Sequence, residues 1–115
     1  MGRLPTVYVK RNDRQPYLPG KLVDSDGVAI ALTSAAIVFT MKSAEGVIKV
    51  NRQAATITDT PNALFEYRWG ATDTTTSGRF YGEFEITPQS GGKFTVPADP
   101  SDLLEIIISD DLDAT

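Results

Sequence analysis

The chain reads as all-β, an antiparallel β-sandwich, and three observations predict that class. Apolar and polar residues alternate at period two in most of the patterned stretches, which gives a strand one buried and one wet face. Turn-forming clusters punctuate the chain at short intervals. No stretch sustains the 3.6-residue spacing of an amphipathic helix.

In chain order, TVYVKR (6–11) and KLVDS (21–25) are strand-like. AIVFTMK (36–42) sends Ile37, Phe39 and Met41 to one side and Val38, Thr40 and Lys42 to the other. GVIKVNR (46–52) and AATITDT (54–60) form one strand interrupted near Gln53, or two short ones. ALFEYRW (63–69) alternates Phe65, Tyr67 and Trp69 with Leu64, Glu66 and Arg68. RFYGEFEIT (79–87) alternates Phe80, Phe84 and Ile86 with Arg79, Tyr81, Glu83 and Glu85. LLEIIIS (103–109) is more continuously apolar, the pattern of a strand buried on both faces or of one whose outer face meets a partner. Between these runs QPYLPG (15–20), DSDG (24–27), SAEG (43–46), DTPN (59–62), DTTTSG (73–78), PQSGG (88–92) and PADP (97–100) are turn or loop clusters. A short helical turn fits TDTT (72–75), or the residues after Pro100, where Ser101 and Asp102 offer caps. Seven to eight short strands with this punctuation predict a sandwich of immunoglobulin type, with a small barrel as second choice. Trp69, Phe39, Phe84 and Ile106 are its expected core.

A length of 115 residues suits one domain. Such a chain buries roughly 65% of its unfolded surface, enough for a real core. It contains no Cys and no His. That excludes disulfides, thiolate chemistry, Cys- or His-based zinc sites and any triad built on histidine. No apolar run reaches membrane-spanning length and no signal-like segment opens the sequence. No membrane association, cofactor or catalytic residue is expected.

The net charge of −4 is unevenly spread. Residues 1–53 carry eight Lys/Arg against four Asp/Glu, and residues 54–115 carry three against eleven. Such asymmetry can mark a basic arm for nucleic acid. The favoured reading is that the two ends lie side by side and neutralise each other, with no nucleic acid involved. Within one molecule exposed pairs contribute only ~0–1 kcal/mol each, whereas between molecules the same charges fix register. The expected organisation is therefore a basic docking arm over 1–16, a sandwich over 17–109 and an acidic tail over 110–115. In the arm, Leu4, Val7 and Tyr8 would anchor a partner and Lys10, Arg11 and Arg14 would orient it. Tyr81, alone among the central aromatics on an outward strand phase, is a further contact candidate.

Three stretches invite chemistry. Asp24, Asp26 and Gly27 look like the start of a calcium loop, but the later ligand positions fall on Val28, Leu32 and Ala35, which offer no side-chain oxygen. AEGV (44–47) repeats the acid-Gly-Val pattern of SDGV (25–28), so both read as turns. Glu83 and Glu85 share a strand face about 7 Å apart, a glycosidase-like pairing that on a polar face is ordinarily just solvated. Tyr67, Trp69, Phe80, Tyr81 and Phe84 could build a sugar platform, yet four of the five fall on inward phases.

The order of these pieces carries a resemblance. Leu22, Val23, Asp24, Asp26, Gly27, Leu32, Ala35, Val38, Phe39 and Met41 form one hairpin motif. Tyr67, Trp69, Asp73, Gly78, Phe80, Glu83 and Phe84 form a second, and Pro97 precedes the closing strand. Over roughly residues 6–109 this resembles the immunoglobulin-like domain at the N-terminus of phage baseplate upper proteins. The resemblance implies a structural component of a tailed-phage virion, in the tail, baseplate, neck or head, assembled in the host cytoplasm. It implies docking to other virion proteins, as a homo-oligomer or ring, with no catalytic residues. The alternative is a carbohydrate-binding module that presents Tyr81 and loop residues to host glycans.

Overall fold

A computed structural model describes residues 6–24, 26–97 and 104–110. Nine strands and no helix occur among them: β1 (Val7–Lys10), β2 (Leu18–Lys21), β3 (Ala36–Ser43), β4 (Ile48–Ala54), β5 (Thr56–Asp59), β6 (Leu64–Tyr67), β7 (Gly78–Thr87), β8 (Phe94–Val96) and β9 (Leu104–Ser109). The larger sheet runs β1-β9-β7-β3-β4, with β8 also paired to β7, and the smaller runs β2-β6-β5. The two sheets make an immunoglobulin-like β-sandwich.

The count exceeds seven to eight by one, because β8 adds a strand where none was expected, while the stretch around Gln53 forms two. The stretch around Gln53 breaks at Ala55, where the chain leaves the larger sheet as β4 and joins the smaller as β5. β8 pairs with Phe84–Ile86 of β7 and β9 with Gly78–Gly82, so the two lie end to end along one side of β7. Residues 94–96 form β8 although the short FTV run gave no strand signal.

The alternation sets the core. Ile37, Phe39 and Met41 on β3 and Phe80, Phe84 and Ile86 on β7 are all buried. Phe39 lies directly opposite Phe84 across the ladder. Its ring centroid is 4.9 Å from that of Phe84, 4.7 Å from Tyr67 and 6.2 Å from Trp69. Aromatic rings at these separations add to the burial energy. Gly82 breaks the inward row of β7 for a packing reason: a Cβ there would come within 2.6 Å of the Phe39 ring. The four residues expected in the core, Trp69, Phe39, Phe84 and Ile106, are at most 4% exposed.

The strand expected at 21–25 begins three residues earlier, at Leu18. Pro19 and Gly20 had marked LPG as a loop, but β2 is an edge strand, where proline loses no ladder bond if its nitrogen faces outward. Gly20 receives the ring of Phe65, which a side chain at that position would displace. Beyond β2, Leu22 stays buried while Val23 makes an isolated bridge to Ala29 around the DSDG turn. The stretch 72–75 is a turn rather than helical, and the alternative helical site after Pro100 lies outside the described residues.

Within the opening segment, residues 7–16 are part of the sandwich, against the expectation of a projecting arm. β1 pairs in parallel with β9, Val7 opposite Ile106 through Lys10 opposite Ser109. It is the single parallel pairing among otherwise antiparallel strands in the described residues. Val9 is buried, and residues 11–16 are fastened by further hydrogen bonds described below. The boundary drawn at residue 16 therefore does not separate an arm from a domain. The physical reason is that a period-two apolar pair, Val7 and Val9, has a hydrophobic face to bury and β9 offers an open ladder beside it.

Candidate interface on the larger sheet

Cross-strand partners share a sheet face, so the register shows what the larger sheet presents outward. Tyr8 lies opposite Ile107, and Ile107 opposite Arg79. In the next row Glu105 lies opposite Tyr81, Tyr81 opposite Lys42, and Lys42 opposite Ile48. Lys10 opposite Ser109 extends the face toward the end of β1. Tyr8 is 70% exposed and Ile48 52%, while Ile107 and Tyr81 are half-buried. Tyrosine and isoleucine thus occupy two adjacent rows with charged groups among and around them. Glu105 is held at both oxygens, accepting a hydrogen bond from the Thr6 hydroxyl at 3.0 Å and pairing with Arg79 at 2.9 Å. Arg52 pairs with Glu85 at 2.8 Å across the far side of the same face.

The candidate residues fall into separate groups. Tyr8, Lys10 and Tyr81 come together on this outer face. Val7 points the other way and packs against the core, so it is not available as an anchor. Arg11 lies at the end of β1, its Nε 3.0 Å from Asp110 Oδ1, near enough for an ion pair but out of line for a hydrogen bond. That contact, and the parallel β1–β9 pairing, bring the basic and acidic ends together. Leu4 and residues 111–115 lie outside the described residues.

Arg14 belongs to a different place, the end of the sandwich where β1 crosses to β2. Its Nε donates to the Trp69 carbonyl at 3.1 Å. The Trp69 indole N–H donates to the Pro16 carbonyl at 2.9 Å, and the Thr74 hydroxyl to the Asp13 carbonyl at 2.8 Å. Asp73 accepts from the Gly70 N–H at 2.7 Å and from the Tyr67 hydroxyl. Burial, and then the bond to Asp73 and its charge, push the Tyr67 phenol well above its ordinary range. Buried polar groups are bonded in this way because leaving them unmade is costly. The cluster ties the opening connector to the 69–75 loop.

The polar motifs resolve into turns and solvated pairs. The Asp24 carboxylate accepts the N–H groups of Asp26 and Val28 at 2.9 and 3.0 Å, and Gly27 takes φ +81°. Ser43 Oγ accepts from Val47 N–H in the second turn. Glu83 is exposed and Glu85 is spent on Arg52. Among the described residues no three acidic side chains converge as metal ligands. Four of the five aromatics considered for a sugar platform are buried, which leaves Tyr81.

Ile107, Arg79, Lys42 and Ile48 join the face without having been singled out. Ile107 had a signal: the run Ile106–Ile107–Ile108 is too apolar for a strand with one wet face. The other three are ordinary on their own strands and become neighbours only through register. The sequence matches no protein-family model and no curated protein.

Proposed function

We propose that this chain is a structural component of a tailed-phage virion that docks onto neighbouring virion proteins through the outer face of its larger sheet. The observation that carries the reading is that Tyr8, Ile107, Tyr81 and Ile48 share one face of the larger sheet, in two neighbouring rows. Tyrosine anchors with an apolar body and a polar tip are favoured in interface cores, and the charged neighbours form a rim that sets orientation. The resemblance of the motif order to that of baseplate upper protein domains supports the phage setting. Docking through a sheet face replaces docking through a free arm, because the arm's residues 7–16 are held within the sandwich. The same face can serve a repeated contact between copies in a ring.

The test is Tyr8→Glu combined with Tyr81→Glu, followed in particles. Tyr8 is exposed but Tyr81 is half-buried opposite Glu105, where a second carboxylate costs stability, so melting curves first establish that the double variant is folded, and incorporation into virions should then be lost. Full incorporation of the folded double variant refutes the interface. Absence of the parent protein from purified particles refutes the virion role. Specific capture of the parent by neutral host glycans on an array, abolished by Tyr81→Glu, would instead establish the carbohydrate-binding module.

A further inference from the structure

At the end of the sandwich away from that face, Arg14, Gln15, Tyr17, Arg68 and Trp69 line a pocket of about 370 Å³. Two features make it more than a surface dip. First, both guanidinium groups are fixed through Nε, Arg14 by the Trp69 carbonyl at 3.1 Å and Arg68 by Glu66 Oε2 at 2.8 Å. A guanidinium held through Nε keeps its terminal N–H groups as a planar fork, suited to a carboxylate. Second, the Arg68 guanidinium lies over the Tyr17 ring, 5.3 Å from its centroid, a cation–π contact that further restrains it. Holding the forks before a ligand arrives lowers the cost of binding.

We infer that this pocket binds a carboxylate carried on a sugar ring, that is, an acidic monosaccharide unit such as a uronic or sialic acid. The size is at the small end of ligand sites, ~300–1,000 Å³, and suits one ring rather than a long segment. Gln15 places an amide beside the arginines, able to donate to and accept from ring hydroxyls. An acidic peptide is the weaker fit. The neighbouring edge strand β2 carries Pro19, and a proline on an edge leaves the outer ladder without a donor at that position. An extended peptide would gain little backbone bonding there. In a protein of net charge −4, the pocket lining among the described residues carries two arginines and no carboxylate, while the nearby Glu66 and Asp73 carboxylates are engaged by Arg68 and by Tyr67 and Gly70.

The inference is independent of the docking face and is tested on the intact protein. Glucuronate and N-acetylneuraminate are titrated while the indole N–H signal of Trp69, the only tryptophan, is followed by NMR. Glucose, acetate and an aspartate-rich peptide serve as comparisons. Saturable binding of an acidic sugar in the ~mM range is expected, with acetate and glucose each at least ~10-fold weaker. Arg68→Gln should weaken it by ~10-fold or more, and Arg68→Lys should recover only part because an ammonium lacks the fork. Melting curves check that each variant is folded, and Arg68 is exposed, so both variants should fold. Equal binding of acetate, tighter binding of the peptide, no saturable shift with either sugar acid, or unchanged binding by folded Arg68→Gln would each overturn the inference.

Discussion

Asp73 and Asp24 each close a short turn, and they do so under opposite conditions. Asp24 is exposed, and among the described residues its carboxylate bonds the N–H groups of Asp26 and Val28, within its own turn. Asp73 is 8% exposed and bonds the Tyr67 hydroxyl and the Gly70 N–H, beside Thr74, whose hydroxyl reaches back to the Asp13 carbonyl. Water can replace either partner of Asp24 at once. It cannot reach the groups that Asp73 satisfies without opening the end of the sandwich. A hydrogen bond contributes little net energy where solvent competes, and much where its loss leaves a buried donor unpaired. The motif that looks most like chemistry in the sequence is therefore the less important of the two for stability.

The largest test of this contrast is Asp73→Ala. It leaves the Tyr67 hydroxyl and the Gly70 N–H without their acceptor, and should cost about 3 kcal/mol in urea denaturation. Asp73→Asn, which keeps an acceptor oxygen, should recover part of that. A loss no greater than that of Asp24→Ala would erase the distinction.

Tyr67→Phe should come next, at about 1 kcal/mol at neutral pH, with a second signature at alkaline pH. Burial, then the bond to Asp73 and its charge, hold the folded phenol above its ordinary 10.0. As pH rises past that value the unfolded chain releases the proton and the folded chain keeps it. The folded state then binds more protons, so stability that is complete below about pH 10 declines above it. Tyr67→Phe should flatten this alkaline decline. An unchanged slope would show that Tyr67 does not carry it.

The smallest effect is expected at Asp24. Asp24→Ala should cost about 0.5 kcal/mol, and calcium or a chelator should leave the melting temperature where it was. A rise of several degrees with calcium would turn the DSDG stretch into a metal site and reverse the ranking.

How far the sequence could be read follows from the range of each interaction. On β3, β6 and β7 the alternation gave the inward phase correctly through Phe39, Tyr67 and Phe84, because a half-buried strand writes its burial at every second residue. Leu18 failed the same reading, since Pro19 and Gly20 follow it. Their tolerance depends on an open edge and on the ring of Phe65, neither of which is local. Of the candidate interface, Tyr8, Lys10 and Tyr81 were legible, and Ile107 was half-legible as one residue of an unusually apolar run. Lys42 and Ile48 were not, because only the ladders place Lys42 beside Tyr81 and Ile48 beside Lys42.

By itself, then, the sequence determined the all-β class, the inward row of most strands, the turn at DSDG and the lack of any thiol or imidazole chemistry. Each of these is set by residue type or by neighbours within a few positions. Tertiary structure decided that the strand at residues 7–10 pairs with β9 of its own sandwich instead of projecting, that Arg11 meets Asp110 while Arg14 meets the Trp69 carbonyl, and that Asp73 closes a buried cluster. Those outcomes join residues tens of positions apart in most cases, and their energy comes from burial and strand pairing that exist only once the two sheets have closed on one core.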